Sequence, residues 1–136
     1  MVTRAAPQAA SLIEAIQAHG GTPIALPLLK IVEAEDGGAS LSAAISELGS
    51  NDWLVVLSPN GARRVVAHSA NLPSSNRPHL AVIASGTEKV FTDAGFATDL
   101  IPEVASSVGL LAAFESIELD GRVLIAQAEN LSLIHI

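Results

Sequence analysis

Two patterns of apolar residues alternate along the chain. Short continuous apolar runs are typical of buried strands, whereas apolar residues that recur every three or four positions are typical of helices. Strands are predicted at 1–4, 24–32, 53–57, 80–84, 98–101 and 123–126. Helices are predicted between Pro7 and Gly20 and at 41–48, 62–69, 87–94 and 108–116. This alternation predicts an α/β fold, a parallel sheet flanked by helices.

The alternation is interrupted once, which predicts a division of the chain. Residues 34–38, AEDGG, are acidic and lack an apolar period, so we interpret them as a linker. Residues 1–33 form a βαβ unit, the opening piece of one domain, in which Pro27 favours an edge strand. Residues 39–129 are predicted to form a nearly complete second domain. We expect strand 24–32 to lie outside the sheet that contains 53–57.

The charge balance narrows the class of partner. Seven Lys and Arg stand against fourteen Asp and Glu, a net charge of -7, which argues against nucleic acid or an anionic membrane as the main partner. The 49% hydrophobic content is enough for a sizeable core. The N-terminal ten residues lack an apolar signal region, and no apolar stretch approaches the roughly 20 residues of a membrane span. We therefore expect a cytoplasmic protein.

No cluster of residues predicts a metal site or a strong nucleophile. The sequence has no Cys, and its four His residues have no metal-ligand spacing and no triad order with Ser and Asp. Ser85-Gly86 lacks the glycine-rich pattern of a dinucleotide or phosphate loop. The sequence thus predicts neither a metal nor another cofactor.

Small polar residues follow three of the predicted strands. They are SPN at 58–60, SGT at 85–87, and SS at 106–107 after Pro102. Each group comes before a predicted helix, so each is explained equally by the ordinary preference of Ser, Thr and Asn for helix starts. In parallel sheets, however, ligands bind outside the carboxyl ends of the strands, where helix amides point outward. These three strand ends are therefore the candidate binding site.

The order of the motifs resembles the uroporphyrinogen-III synthase family. The resemblance runs from Val2 to about Glu129 and rests on five segments taken together: VTRAAPQAASLIEAIQAHGGTPIALPLLKI, DWLVVLSPNGARRVV, LAVIASGTEKVFTDAGF, TDLIPEVASSVGLL and RVLIAQAE. It implies a flavodoxin-like α/β fold of two domains. The first domain is built from both ends of the chain, and the second is inserted between them.

The resemblance also implies an enzyme, a cyclising lyase of tetrapyrrole biosynthesis. Its substrate is the small molecule hydroxymethylbilane, which is closed to uroporphyrinogen III with loss of water and inversion of the last pyrrole ring. We expect a monomer that uses no cofactor and has no single catalytic residue. The substrate-binding residues that the resemblance implies, together with the strand ends, are Arg4, Ser58, Asn60, Ser85, Thr87 and Ser106.

The sequence departs from the family pattern at several positions. Ala84 stands where a glycine is usual, Gln127 where the last strand usually runs into an arginine, and there is no Tyr. Residues 130–136, NLSLIHI, do not continue the pattern, so we interpret them as a non-native tail of a truncated chain. We expect this 136-residue chain by itself to yield mostly the type I isomer that forms spontaneously.

A different class of function fits the same alternation of elements. A small α/β module that binds a phosphorylated or carboxylated small molecule would also place Ser and Thr at helix starts. A receiver domain is disfavoured, because Arg4, Ser58 and Ser85 stand at strand ends where acidic residues are needed.

Overall fold

The computed structural model describes residues 1–28, 30–69 and 77–127. In these ranges the helices are α1 (Ala6–Ala18), α2 (Ala39–Ser46), α3 (Pro59–His68), α4 (Ser85–Asp93) and α5 (Ser107–Glu115). The strands are β1 (Trp53–Val56), β2 (His79–Val82) and β3 (Val123–Ala126). The chain divides into two compact units, Met1–Gly37 and a second unit that begins at Gly38.

The first unit contains α1 and one short parallel pairing. Val2 pairs with Ala25, and its amide donates to the Ile24 carbonyl at 2.8 Å while its carbonyl accepts from Leu26 at 2.8 Å. Among the described residues, the pairing between the predicted strands 1–4 and 24–32 is limited to this bridge, so both strands are wrong in extent. Beyond Pro27, the Leu28 amide still donates to the Thr3 carbonyl at 3.2 Å.

The second unit contains a three-stranded parallel sheet in the order β2-β1-β3. Trp53 at the start of β1 lies opposite His79 and Val123, so the three strands begin in register. All four residues of β1 are buried, as expected for the central strand of a sheet that is covered on both faces. The prediction of a parallel α/β fold is confirmed.

Successive side chains of β1 point to opposite faces of the sheet and lie in two separate cores. Leu54 and Val56 pack with residues of α2, α3 and α4, among them Ile45, Val65 and Phe91. Trp53 and Val55 pack on the other face with Leu110 of α5, and the Phe114 ring lies edge-on to Trp53 at 5.1 Å between centroids. The helices thus cover the sheet from both sides.

Two kinds of predicted boundary are corrected by the structure. The predicted strand 98–101 is reduced to one bridge, Leu100 with Ala81. Helices α3 and α4 begin at Pro59 and Ser85, earlier than the predicted 62 and 87. The prediction placed both starts too late because the first turns are polar and carry no apolar period. Strand 123–126 is confirmed.

No helix in the ranges that the structure describes is long and apolar enough to span a membrane. The predicted tail at 130–136 lies outside the described residues.

Candidate functional site

The parallel register brings the carboxyl ends of the strands to one edge of the sheet. We call this the carboxyl edge and define it by Val56, Val82 and Ala126, which are in register, and the turns that follow them. A Cβ built on Gly61 would lie 3.6 Å from the Ala126 carbonyl oxygen, and one on Gly86 would lie 3.9 Å from Pro59 Cγ. The first turns of α3 and α4 are therefore neighbours at this edge.

Ser58 is the N-cap of α3. Its backbone is extended, and its hydroxyl oxygen accepts a hydrogen bond from the Gly61 amide at 3.1 Å. Pro59 follows as the first helical residue, where the missing amide costs nothing. Because a hydroxyl oxygen that accepts a bond keeps its own proton, Ser58 still has a donor for a ligand.

Asn60 lies in the first turn of α3 and is half-buried. Its side-chain oxygen accepts a hydrogen bond from Arg63 Nη1 at 3.0 Å. The spacing of three residues on a helix is the signal in the sequence for this contact.

The start of α4 differs from that of α3, because its N-cap is Ala84 and no side chain caps it. Ser85 and Gly86 are exposed, and their amides, the first two of the helix, have no acceptor among the residues that the structure describes. Ala84 has φ -162°, an extended conformation that any residue adopts, so the absence of glycine here causes no strain. This helix start therefore offers backbone donors at the carboxyl edge.

Two predicted site residues are placed differently from Ser58, Asn60 and Ser85. Thr87 is only 1% exposed, so its side chain offers almost no surface to a ligand. Ser106 caps α5 by accepting from the Gly109 amide at 3.0 Å, and this helix covers the face of the sheet opposite to α3 and α4.

Arg4 lies in the first unit and is exposed. No carboxylate pairs with it in the described part of the chain. Its relation to the carboxyl edge stays a prediction.

The opposite edge of the sheet contains a buried carboxylate that sequence reasoning missed. Asp52 accepts hydrogen bonds from the Gly49 amide and the Arg122 amide, both at 2.8 Å, and from Arg122 Nη2 at 3.0 Å. The Gly49 amide bond and then the Arg122 guanidinium lower the pKa of Asp52 to about 2. The hydrogen bond to the Asp52 carboxylate and the charge of that carboxylate raise the pKa of Arg122.

This arrangement ties the start of β1 to the start of β3. A second pair, Arg77 with Asp99 at 3.2 Å, lies beside the start of β2, where Asp99 also accepts from the Leu80 amide at 2.7 Å. Both pairs lie at strand beginnings, so they hold the sheet together at a distance from the carboxyl edge. Within the described ranges no cluster of three His, Asp or Glu residues is placed to hold a metal ion.

A family model described as Uroporphyrinogen-III synthase HemD matches residues 10–133. The chain belongs to this family. A uroporphyrinogen-III synthase, chloroplastic, from Oryza sativa subsp. japonica is 34% identical over 107 residues. This alignment covers 79% of the chain and 34% of the rice protein, so the chain spans about a third of that relative's length.

The residues matched to the uroporphyrinogen-III synthase family include the whole carboxyl edge and both ion pairs at the strand beginnings. Arg4 lies outside the matched range. Ser58, Asn60, Ser85, Thr87 and Ser106 all lie inside the matched range.

Proposed function

We propose that the protein is a uroporphyrinogen-III synthase, which closes hydroxymethylbilane to uroporphyrinogen III. The observation that carries this proposal is the family match over residues 10–133. In this reaction the hydroxyl of the terminal hydroxymethyl group takes up a proton and leaves as water. A pyrrole carbon attacks the electrophilic CH2 carbon that remains and then loses its proton, and the last ring is inverted during closure.

The carboxyl edge supports this proposal through its chemistry. The substrate carries many carboxylates, and the edge presents the Ser58 hydroxyl, the Asn60 amide and the free amides of Ser85 and Gly86. Helix starts favour anions, so an acidic protein can bind an acidic ligand locally. Because ring closure occurs spontaneously to the wrong isomer, the main requirement is orientation, which needs no strong nucleophile.

The first experiment is product analysis with the protein as its gene encodes it. Hydroxymethylbilane is added, the product is oxidised to porphyrin, and the type I and type III isomers are separated by chromatography. We expect mostly type III from the protein that the complete gene encodes, and mostly type I from the 136-residue chain alone, as from a sample without protein. A protein that binds carboxylates but gives only type I would favour the alternative binding module.

The second experiment tests the residues of the edge in the same assay. A hydrogen bond to a charged group is worth roughly 1.5–3 kcal/mol, so Ser58→Ala or Asn60→Ala should lower kcat/KM by about one to two powers of ten. Ser58→Gly is the matched control, since glycine replaces a capping serine at a cost of only a few tenths of a kcal/mol. If Ser58→Gly retains full activity, Ser58 is only a helix cap.

We also propose that the protein acts in the cytoplasm as a monomer without a cofactor. The rice relative is named chloroplastic, which is a different compartment. A fluorescent fusion and light scattering of the purified protein test the location and the monomer.

A further inference from the structure

The contact between Arg63 and Asn60 restricts what Asn60 offers to a ligand. A guanidinium group has donors only, so the atom of Asn60 that faces Arg63 Nη1 at 3.0 Å must be the side-chain oxygen. An amide whose oxygen is engaged in this way presents its nitrogen, Nδ2, on the other side. Asn60 thereby presents only a donor, which favours acceptors such as a carboxylate.

The position of the Arg63 charge is not explained by helix stability. Side chains on a helix point back toward its N-terminus, which brings this guanidinium from the second turn of α3 to Asn60 in the first. The N-terminal end of a helix already carries partial positive charge, so a cation there is disfavoured. The first turn of α3 contains no acidic residue to offset it.

Arg63 also has no ion pair with any carboxylate that the structure describes, in a chain where acidic residues outnumber basic ones by fourteen to seven. Its hydrogen-bond partner, Asn60, is a neutral side chain at the carboxyl edge. The excess of positive charge at this helix start would be balanced by an incoming anion.

We propose that Arg63 is a positioning residue, which holds the Asn60 side chain so that Nδ2 donates to a substrate carboxylate. The inference rests on the proposed function and deepens it, because it predicts that this subsite accepts a carboxylate and rejects a neutral group that can only donate. Arg63 acts through Asn60, and its charge adds a weaker long-range attraction.

A double-mutant cycle on kcat/KM tests whether Arg63 acts through Asn60. Asn60→Ala is expected to lower kcat/KM by about 10- to 100-fold and Arg63→Gln by about 3- to 10-fold, mainly through KM. In the Asn60→Ala background, Arg63→Gln should cost less than about twofold, because its partner is absent. Equal losses in both backgrounds would overturn the proposal.

Two further variants separate positioning from charge. Arg63→Lys keeps a side chain that has hydrogen-bond donors and no acceptor. This variant should therefore retain most of the activity that Arg63→Gln loses. Lys89→Gln removes one positive charge from an exposed pair elsewhere in the same unit and should leave activity unchanged. If Lys89→Gln and Arg63→Gln lower activity equally, net charge and not positioning is responsible.

A nuclear magnetic resonance experiment makes the test independent of turnover. The isotope-labelled protein is titrated with porphobilinogen, a single pyrrole that carries an acetate and a propionate. The Asn60 Nδ2 signal should shift in the wild type and not in Arg63→Gln.

The two readouts distinguish failure of the inference from failure of the proposed function. If the wild type forms no type III isomer but Asn60 responds to porphobilinogen only when Arg63 is present, the function is wrong and the positioning role stands. If Asn60 responds equally in both proteins, or in neither, the positioning role is wrong.

Discussion

At the scale of single residues, Asp52 connects parts of the chain that are distant in sequence. Its carboxylate accepts from Gly49 on one side and from Arg122, seventy positions away, on the other. Its own carbonyl accepts from the amide of His79 at 2.8 Å. One residue therefore links the beginnings of all three strands of the second unit.

The lowered pKa of Asp52 predicts an acid-dependent loss of stability. The folded pKa of about 2 lies below the ordinary value of 3.8, so the carboxylate contributes its full stability above the ordinary value. That contribution is lost as the pH falls through the window between these two values. The free energy of unfolding of the wild type should exceed that of Asp52→Asn at neutral pH, and the difference should shrink toward the acid end of the window.

Urea unfolding at a series of pH values measures this difference. Asp93→Asn is the control, because it removes only an exposed pair with Lys89 and should change stability little at neutral pH. A difference between wild type and Asp52→Asn that stays constant down to the acid limit would contradict the assigned role of Asp52.

At the scale of elements, the three helix starts that follow strands differ in how they are capped. Ser58 and Ser106 each accept from an amide three residues ahead, whereas α4 has Ala84 at the same position and no side-chain cap. Helices α3 and α5 thus satisfy one of their free amides with a serine side chain. Helix α4 leaves the amides of Ser85 and Gly86 available at the carboxyl edge.

Ala84→Ser should therefore stabilise the protein and weaken substrate binding. The backbone of residue 84 is already extended, so a serine can cap α4 and add about 0.5–2 kcal/mol to the free energy of unfolding. A capping serine accepts from the second or third amide of its helix, so the new hydroxyl would lie over the helix start beside the Ser85 and Gly86 amides that we propose bind substrate. KM should rise about threefold to tenfold. Thermal unfolding and the isomer assay measure the two effects on one sample.

The opposite substitution on α5 is the comparison for this prediction. Ser106→Ala removes a cap and should lower stability by about 0.5–2 kcal/mol. An Ala84→Ser protein that is more stable and binds substrate as well as the wild type would show that the α4 amides do not bind substrate.

The core contacts of α4 give a prediction about packing. Phe91 is 2% exposed and packs among Leu54, Val65 and Leu80 between the sheet and the helices. Phe91→Ala should lower the free energy of unfolding by about 3–5 kcal/mol, through lost burial and the cavity that remains. Phe91→Leu is the matched variant and should cost less in the same denaturation measurement.

At the scale of the whole molecule, the chain divides at a short acidic segment. The boundary between the two units follows Gly37, inside the segment 34–38 that the sequence indicates as a linker. Gly37 and Gly38 both have a positive φ, 62° and 87°, a backbone conformation that residues other than glycine rarely adopt. A Cβ on Gly38 would also collide with the His68 ring, so both the backbone conformation and the space available require glycine at this position.

Limited proteolysis tests the predicted linker. A protease specific for glutamate should cut first after Glu33 or Glu35, which are exposed and lie within or beside the segment. The fragment that begins in this region should persist, because its sheet is covered on both faces. Replacing both glutamates by glutamine should slow the first cut, and a first cut elsewhere would show that 34–38 is not the most accessible segment.

The local features of the second unit could be read from the sequence. The apolar run 53–56 indicated a central strand, and the serines before α3 and α5 indicated helix starts, because strand burial and capping depend on neighbours along the chain. The strands predicted at 24–32 and 98–101 were wrong in extent and keep one bridge each among the described residues, since apolar residues permit a strand but a partner must be placed beside it.

By itself, the sequence determined the α/β alternation and the polar strand ends, since each is set by residues within one helical turn or one strand. Only the tertiary structure decided that Thr87 is buried while Ser58 and Ser85 are exposed, although all three stand at strand ends. It also decided that Asp52 meets Arg122. Burial and long-range pairing depend on which elements pack together, and that arrangement is fixed by the sheet order and register of the folded chain.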